Sequence, residues 1–190
     1  TPRIQEFMQL NPEIEIELIF DDKELDLSTR QADIGIFMRS PKQLNYIQRK
    51  LMDINYHIYG SNKYLEKHGM PKSINDLSKH NFISFGRGAP SPVFNPDWAL
   101  KLGIKDNKKR KPVMKVNSVM GLLLAVESGV GLAALPDYLV SLSRNVIKVL
   151  PSVEGPITEA HFVFPESLKN VARVTTFRNF LYSKISEFKS

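Results

Sequence analysis

The groups of this chain that could do chemistry are four histidines, one pair of adjacent aspartates, and a few arginines and hydroxyls beside turn residues. His57, His68, His80 and His161 fall into no HExxH arrangement or comparable ligand spacing, so no metal site is expected. His57 and His161 lie in strand-like stretches, where a hydrogen-bonded histidine of the core is the plainer reading. His68 and His80 fall near predicted helix C-termini, where a cation suits the helix dipole. Asp21-Asp22 could serve as paired carboxylates in acid–base work; capping the short helix that follows is the simpler role. No GxSxG elbow, Walker loop or GxGxxG fingerprint occurs. Gly129-Val130-Gly131 follows a helix instead of opening one, which predicts a C-cap and a tight turn. Catalytic residues: none are expected, and no cofactor. The chain does not read as an enzyme.

Anion-binding elements are better represented. Val116-Asn117-Ser118 brings a hydroxyl and free backbone N–H groups to a helix start, where a carboxylate or phosphate could sit. A plain N-cap would account for Ser118 alone. Arg39-Ser40 follows an apolar run ending at Met38, the place where open sheets put ligand groups. Arg87 lies in the turn Gly86-Arg87-Gly88.

These groups must be held by regular elements, and the pattern supplies them. Ile4, Phe7 and Met8 keep helical spacing up to Asn11-Pro12. Ile14, Ile16, Leu18 and Phe20 alternate with glutamates, predicting a strand over 13–20 with one buried face. Residues 23–30 read as a short helix, and 33–38 as a strand buried on both faces, together a βαβ unit. Strands are predicted over 47–51, 54–60, 82–85, 112–116, 130–135, 146–150 and 160–164. Helices are predicted over 62–68 behind Ser61, 74–79 behind Ser73, and 119–128 behind Ser118. Pro136 would open another at its first turn. A last helix over 169–188 carries Val174, Phe177, Leu181, Ile185 and Phe188 on one stripe.

The class is therefore α/β, with two small sheets in preference to one long one. Apparent crossovers near Met52-Asp53 and Glu159-Ala160 divide the chain into a lobe of residues 1–52 plus 160–190 and a lobe of 53–159. Two hinge strands and a cleft between lobes are expected, and ligands favour such clefts. With 190 residues, 42% hydrophobic, the chain can bury a real core; with no cysteine it holds no disulfide, thiolate metal site or thiol sensor. No apolar run reaches the roughly 20 residues of a spanning helix, so no membrane partner is expected. The net charge of +6 invites a nucleic-acid reading, yet the one dense basic run, residues 105–111, sits in turn chemistry without aromatics and reads as a solvated loop. The first residues read like the middle of an amphipathic helix, which predicts a piece of a longer protein.

In their order, several strings resemble the effector-binding (LysR substrate-binding) domain of LysR-type transcriptional regulators, over essentially the whole chain. They are residues 7–18, then Ala32-Asp33-Ile34-Gly35-Ile36, Tyr59-Gly60-Ser61-Asn62-Lys63-Tyr64-Leu65 and Ser73-Ile74-Asn75-Asp76-Leu77. The most specific is Val116-Asn117-Ser118 followed by Ala125-Val126-Glu127-Ser128-Gly129-Val130-Gly131-Leu132-Ala133-Ala134-Leu135-Pro136. The resemblance implies a two-lobed, type II periplasmic-binding-protein-like fold that grips a small effector. It also implies an N-terminal winged helix-turn-helix, a linker helix and a first strand, all lying outside this sequence. DNA would be bound only through that N-terminal part, in the cytoplasm. Asp22-Lys23-Glu24-Leu25-Asp26-Leu27 and Val153-Glu154-Gly155-Pro156 look more narrowly like the alphaproteobacterial regulators LsrB or VtlR, which are associated with stress responses.

The expectation is thus a sensor domain that binds a small anionic metabolite through Asp22, Met38, Arg39, Phe85, Asn117 and Ser118. By the same resemblance two copies pair antiparallel, helix 23–30 against the C-terminal helix, through Leu25, Leu27, Phe180 and Tyr182, with a tetramer at full length. For Phe180 and Tyr182 the alternative is that they widen the core face. The alternative function is a soluble solute-binding protein of a transport system; an enzyme on the same scaffold or a pure oligomerisation platform stand further back.

Overall fold

In the computed structural model the described residues are 3–20, 27, 31–38, 45–86, 95–105 and 108–189. The chain divides into two compact units, Thr1–Asp53 with Glu159–Ser190, and Ile54–Thr158.

The discontinuous unit is organised around one aromatic side chain. Helix α1 (Ile4–Leu10) places Phe7, fully buried, edge-on to Phe177 and Phe180 of the long helix α6 (Ala172–Lys189), at 5.0 and 5.1 Å. Lys184 closes this contact by reaching Glu6 at 2.6 Å and Glu187 at 2.9 Å. The sheet beside it runs β1-β8-β2, from strands Gly35–Phe37, Thr158–Pro165 and Tyr46–Ile54. β1 pairs antiparallel with β8, Gly35 opposite Val163 and Phe37 opposite His161. Phe162, Val163 and Phe164 are buried, and Leu27, Phe37, Tyr46 and Val163 form a separate apolar cluster.

The continuous unit is a three-stranded antiparallel sheet, β6-β3-β7, with a parallel pair β4–β5. β3 (Tyr56–Ser61) is its middle strand and all six residues are buried. It pairs with β6 (Ala133–Pro136) and β7 (Val146–Val149). Ser61 caps α2 (Asn62–His68) by accepting from Tyr64 N–H. A 3-10 turn, Ile74–Lys79, opens on a capping box between Ser73 and Asp76. β4 (Ile83–Phe85) and β5 (Met114–Val116) flank α3 (Trp98–Lys101), and α4 (Val119–Glu127) covers the sheet. Leu122, Leu123, Ala125 and Val126 of α4 pack with Tyr59, Ile83, Leu135, Leu139 and Val146. Asp137–Val140 forms the short α5.

Several expectations need correcting. Residues 13–20 are in no ladder: Ile14 and Ile16 are half-buried, while Leu18, Ile19 and Phe20 are 46%, 48% and 83% exposed. Alternation marks a side-chain face, but a strand also needs a neighbour's N–H and C=O, and the described residues give this segment none. The run 33–38 is only a three-residue strand with an antiparallel neighbour and Ile36 44% exposed, not a doubly buried parallel strand. The break between β2 and β3 falls at Asn55, beyond Met52-Asp53. Pro136 ends β6, opposite Tyr56, and precedes α5. α3 has no counterpart in the sequence reading; with four residues it is too short to show a period.

Of the residues expected at the pairing surface, Leu27 is 1% exposed and packs in its own unit's apolar cluster. Phe180 packs on Phe7, and Tyr182 donates its hydroxyl to the Lys50 carbonyl at 3.1 Å, so both have intramolecular roles. Leu25 and the rest of helix 23–30 lie outside the described residues.

Candidate functional site

The parallel pair β4–β5 carries both strands toward the same end, Phe85 opposite Val116, and Gly86 N–H continues the ladder onto the Val116 carbonyl at 2.8 Å. Asn117 turns the chain and Ser118, in extended conformation, starts α4. Its Oγ accepts from Gly121 N–H at 3.4 Å. Asn117 is exposed, and Ser118 and Phe85 are half-buried. Gly121 is required locally, since a Cβ there would stand 2.6 Å from the Val116 side chain. The result is a nine-residue helix whose N-terminus opens beside an aromatic ring, at the carboxyl ends of two parallel strands. Such a terminus attracts carboxylate or phosphate through its unsatisfied N–H groups and partial positive charge.

Under this end lies an apolar cavity of about 30 Å³, lined among others by Tyr56, Ser84, Phe85, Pro96, Trp98 and Val119. That volume holds one or two waters or a small group. Trp98 is 8% exposed and its indole Nε1 is buried without a hydrogen-bond partner. A buried donor left unpaired costs on the order of 1–3 kcal/mol. Gly155 makes room for the ring: a Cβ there would lie 2.5 Å from it. Neither Trp98 nor Ser84 was singled out in the sequence, because a lone tryptophan beside a proline-rich loop has no distinguishing spacing.

The expected site residues fall into three groups. Phe85, Asn117 and Ser118 come together on the continuous unit. Met38 is half-buried, one residue past β1 in the discontinuous unit. Asp22 and Arg39, with Asp21 and Arg87, lie outside the described residues.

Of the histidines, His57 lies 2.8 Å through Nδ1 from Asp137 Oδ1, and His161 lies 3.2 Å from Glu159. His68 Nδ1 lies 2.9 Å from the Tyr64 carbonyl, its ring stacked on that tyrosine. Burial holds His80 below the usual imidazole value, with His68 adding to the shift. Among the described residues no three or more His, Asp or Glu side chains could hold a metal ion. Gly129 has φ +86° behind α4, and Gly131 passes against the Asn81 backbone, a turn and a close packing contact with no phosphate cradle. A wider hollow of about 710 Å³ in the discontinuous unit includes Asp33, Asn45, Tyr46 and Arg173, but Arg173 is already paired with Asp33 at 3.2 Å.

Comparison with known proteins bears on what this end does. The LysR substrate binding domain family matches residues 1–185. An uncharacterised HTH-type transcriptional regulator of Haemophilus influenzae is 28% identical over 179 residues, 92% of this chain and 60% of that protein. The HTH-type transcriptional regulator CrgA of Neisseria meningitidis serogroup C is 27% identical over 150 residues, 79% of this chain and 49% of its own length. The chain thus spans about half to two thirds of the curated relatives it matches. Among solved structures, the regulatory domain of Neisseria meningitidis CrgA superposes with a TM-score of 0.83 at 24% identity, covering 97% of this chain and 90% of that one. The effector domain of Pseudomonas aeruginosa AmpR gives 0.71 at 16% identity, covering 97% and 88%. These likenesses show the fold, the mixed α/β, type II periplasmic-binding-protein-like arrangement of LysR regulatory domains. The chain belongs to the LysR substrate-binding domain family, the effector-binding part of LysR-type transcriptional regulators.

Proposed function

We propose that this domain senses a small anionic metabolite at the Ser118 end of α4 and passes binding on to an N-terminal DNA reader as a change in conformation. The observation that carries the reading is the pairing of a polar helix start with an apolar cavity lined by Phe85, Trp98 and Val119. An anion with a compact apolar portion satisfies both: its charge faces the α4 N–H groups and its body lies over Phe85 and Val119. Asn117 and Ser118 fix its orientation.

The whole regulator in this reading is a cytoplasmic DNA-binding protein and not an enzyme. Among the described residues no helix is long and apolar enough to cross a membrane. The domain pairs with a second copy and forms tetramers at full length. Met120 and Leu124, one turn apart on α4 and 50% and 57% exposed, support self-association better than the buried Leu27 does. A narrower LsrB- or VtlR-like role in stress responses rests on residues 22–27 and 153–156 alone.

Thermal-shift titration against organic acids and amino acids tests the reading. A true effector raises Tm with concentration, by about 2.7 kcal/mol of added stability at a hundredfold excess over Kd. It should also change the emission of Trp98, the single tryptophan. A flat Tm across millimolar anions, or a ligand-bound crystal structure with density only away from Phe85 and Ser118, would overturn it.

A further inference from the structure

The chain's net charge is concentrated in one stretch. Residues 101–115 carry seven basic side chains and one acidic one, while the other 175 residues hold nineteen of each. The whole excess of +6 therefore belongs to the connection that leads from α3 into β5.

The fold sorts these cations into two sets. Arg110 is turned inward: its Nη1 donates to the Leu102 carbonyl at 2.7 Å, and its guanidinium stands 5.6 Å over the Phe82 ring. Lys109 is paired with Asp97. Lys101, Lys105, Lys108, Lys111 and Lys115 are exposed, and none forms an ion pair among the described residues. Arg110 N–H donates to the Leu100 carbonyl at 2.9 Å, folding the connection back on the end of α3, and Val113 N–H donates to the Phe82 carbonyl at 2.8 Å. Elsewhere Lys50, Lys79, Lys148 and Lys184 have acidic partners, while Lys63, Lys67, Lys72 and Lys169 are unpaired among the described residues but lie apart in the sequence. Arg110 is thus committed inward, while five exposed ammonium groups of the same connection have no ion-pair partner among the described residues.

We infer that these exposed lysines contact the phosphate backbone of duplex DNA, in addition to any separate reader domain. Lysines without aromatic neighbours suit sequence-independent phosphate contact and not base reading. The choice of DNA over another polyanion rests on the reading of this chain as part of a DNA-binding regulator. Contact of this kind would hold DNA against the regulatory domain and make the complex sensitive to salt.

The test uses this chain as it stands, with fluorescence anisotropy of a labelled 20-bp duplex of arbitrary sequence. Binding is expected in low salt, with three to five neutralised phosphates. A fourfold rise in salt should then weaken binding on the order of a hundredfold. The variant K105Q/K108Q/K111Q/K115Q should lose binding at least tenfold with an unchanged melting temperature. K63Q/K67Q/K72Q/K169Q, with the same number of charges removed elsewhere, should retain it. Equal losses in both variants, no binding at low salt, or displacement of the DNA by polyglutamate at equal charge would each overturn the inference, the last in favour of an acidic protein surface. None of these readouts depends on an effector, so failure of the sensor reading would show separately, in the thermal-shift titration.

Discussion

His57 Nδ1 lies 2.8 Å from Asp137 Oδ1, joining the middle strand β3 to the first residue of α5. The same oxygen accepts from the Tyr59 hydroxyl at 2.8 Å, and Oδ2 accepts from Lys148 Nζ on β7 at 3.2 Å. One carboxylate therefore ties together three elements of the continuous unit.

This cluster makes a pH prediction. Burial alone would raise the Asp137 carboxyl, but hydrogen bonds from His57, Tyr59 and Lys148 outweigh it and hold the group below its ordinary 3.8. A depressed carboxylate stabilises the fold at pH values above its unfolded value and loses that contribution as pH falls through the folded one. Asp137→Asn should cost about 1–2 kcal/mol at pH 7. The gap between the two proteins should close below pH 4. Urea unfolding at pH 7 and pH 3 checks this, and a gap independent of pH would contradict the assignment.

Asp76 offers a second, exposed case. Lys79 and Ser73 bond its carboxylate and, with Lys72 N–H, lower it to about 2. The capping box should hold at neutral pH and open only as pH drops from about 4 toward 2. Amide protection at Lys72 and Ser73, taken relative to the free-chain exchange rate at each pH, should fall through that window in the parent; in Asp76→Ala both amides should lack protection at every pH.

Gly131 runs so close to the neighbouring chain that an added Cβ would lie 2.6 Å from the Asn81 carbonyl oxygen and 2.9 Å from its carbon. That carbonyl accepts from Leu132 N–H, and Leu132 in turn accepts from Ile83 N–H. Backbone cannot step aside as a flexible side chain can. Gly131→Ala should cost about 1–3 kcal/mol, read as a lower denaturation midpoint. A neutral substitution would show that the contact is looser than described.

Leu27→Ala separates core from interface. As part of the cluster with Phe37, Tyr46 and Val163, it should lose about 2–5 kcal/mol of stability. The oligomeric state of the folded fraction, followed by sedimentation, should stay as in the parent. A stable protein that dissociates would restore Leu27 to a pairing surface.

Trp98→Phe removes a buried donor that has no acceptor. Its cost should fall below about 1 kcal/mol, because relief of the unpaired N–H offsets the lost ring area. Trp98→Ala, which empties the site, should cost about 3–5 kcal/mol. Unfolding followed by far-UV circular dichroism distinguishes the two, and a Phe variant as damaged as the Ala variant would mean the indole N–H has a partner after all.

What could be seen in the residues alone was local. Ser61 and Ser118 declare their helices because a capping hydroxyl acts within three residues, and Gly129 declares a stop because only φ above zero closes that turn. The α/β class and the family membership came from the order of such signals. Tertiary structure alone decided pairing and burial. The glutamate–isoleucine alternation of 13–20 cannot say whether a neighbouring strand is present. Nothing near Leu27 in the sequence distinguishes a core leucine from an interface leucine. The orphaned N–H of Trp98 and the inward turn of Arg110 onto the Leu102 carbonyl and the Phe82 ring depend on contacts made only in the folded chain. Capping and turn energies are spent over three or four residues and leave a mark in the spacing. Hydrogen-bond partners and packing neighbours lie tens of residues away along the chain, where only the folded backbone brings them together.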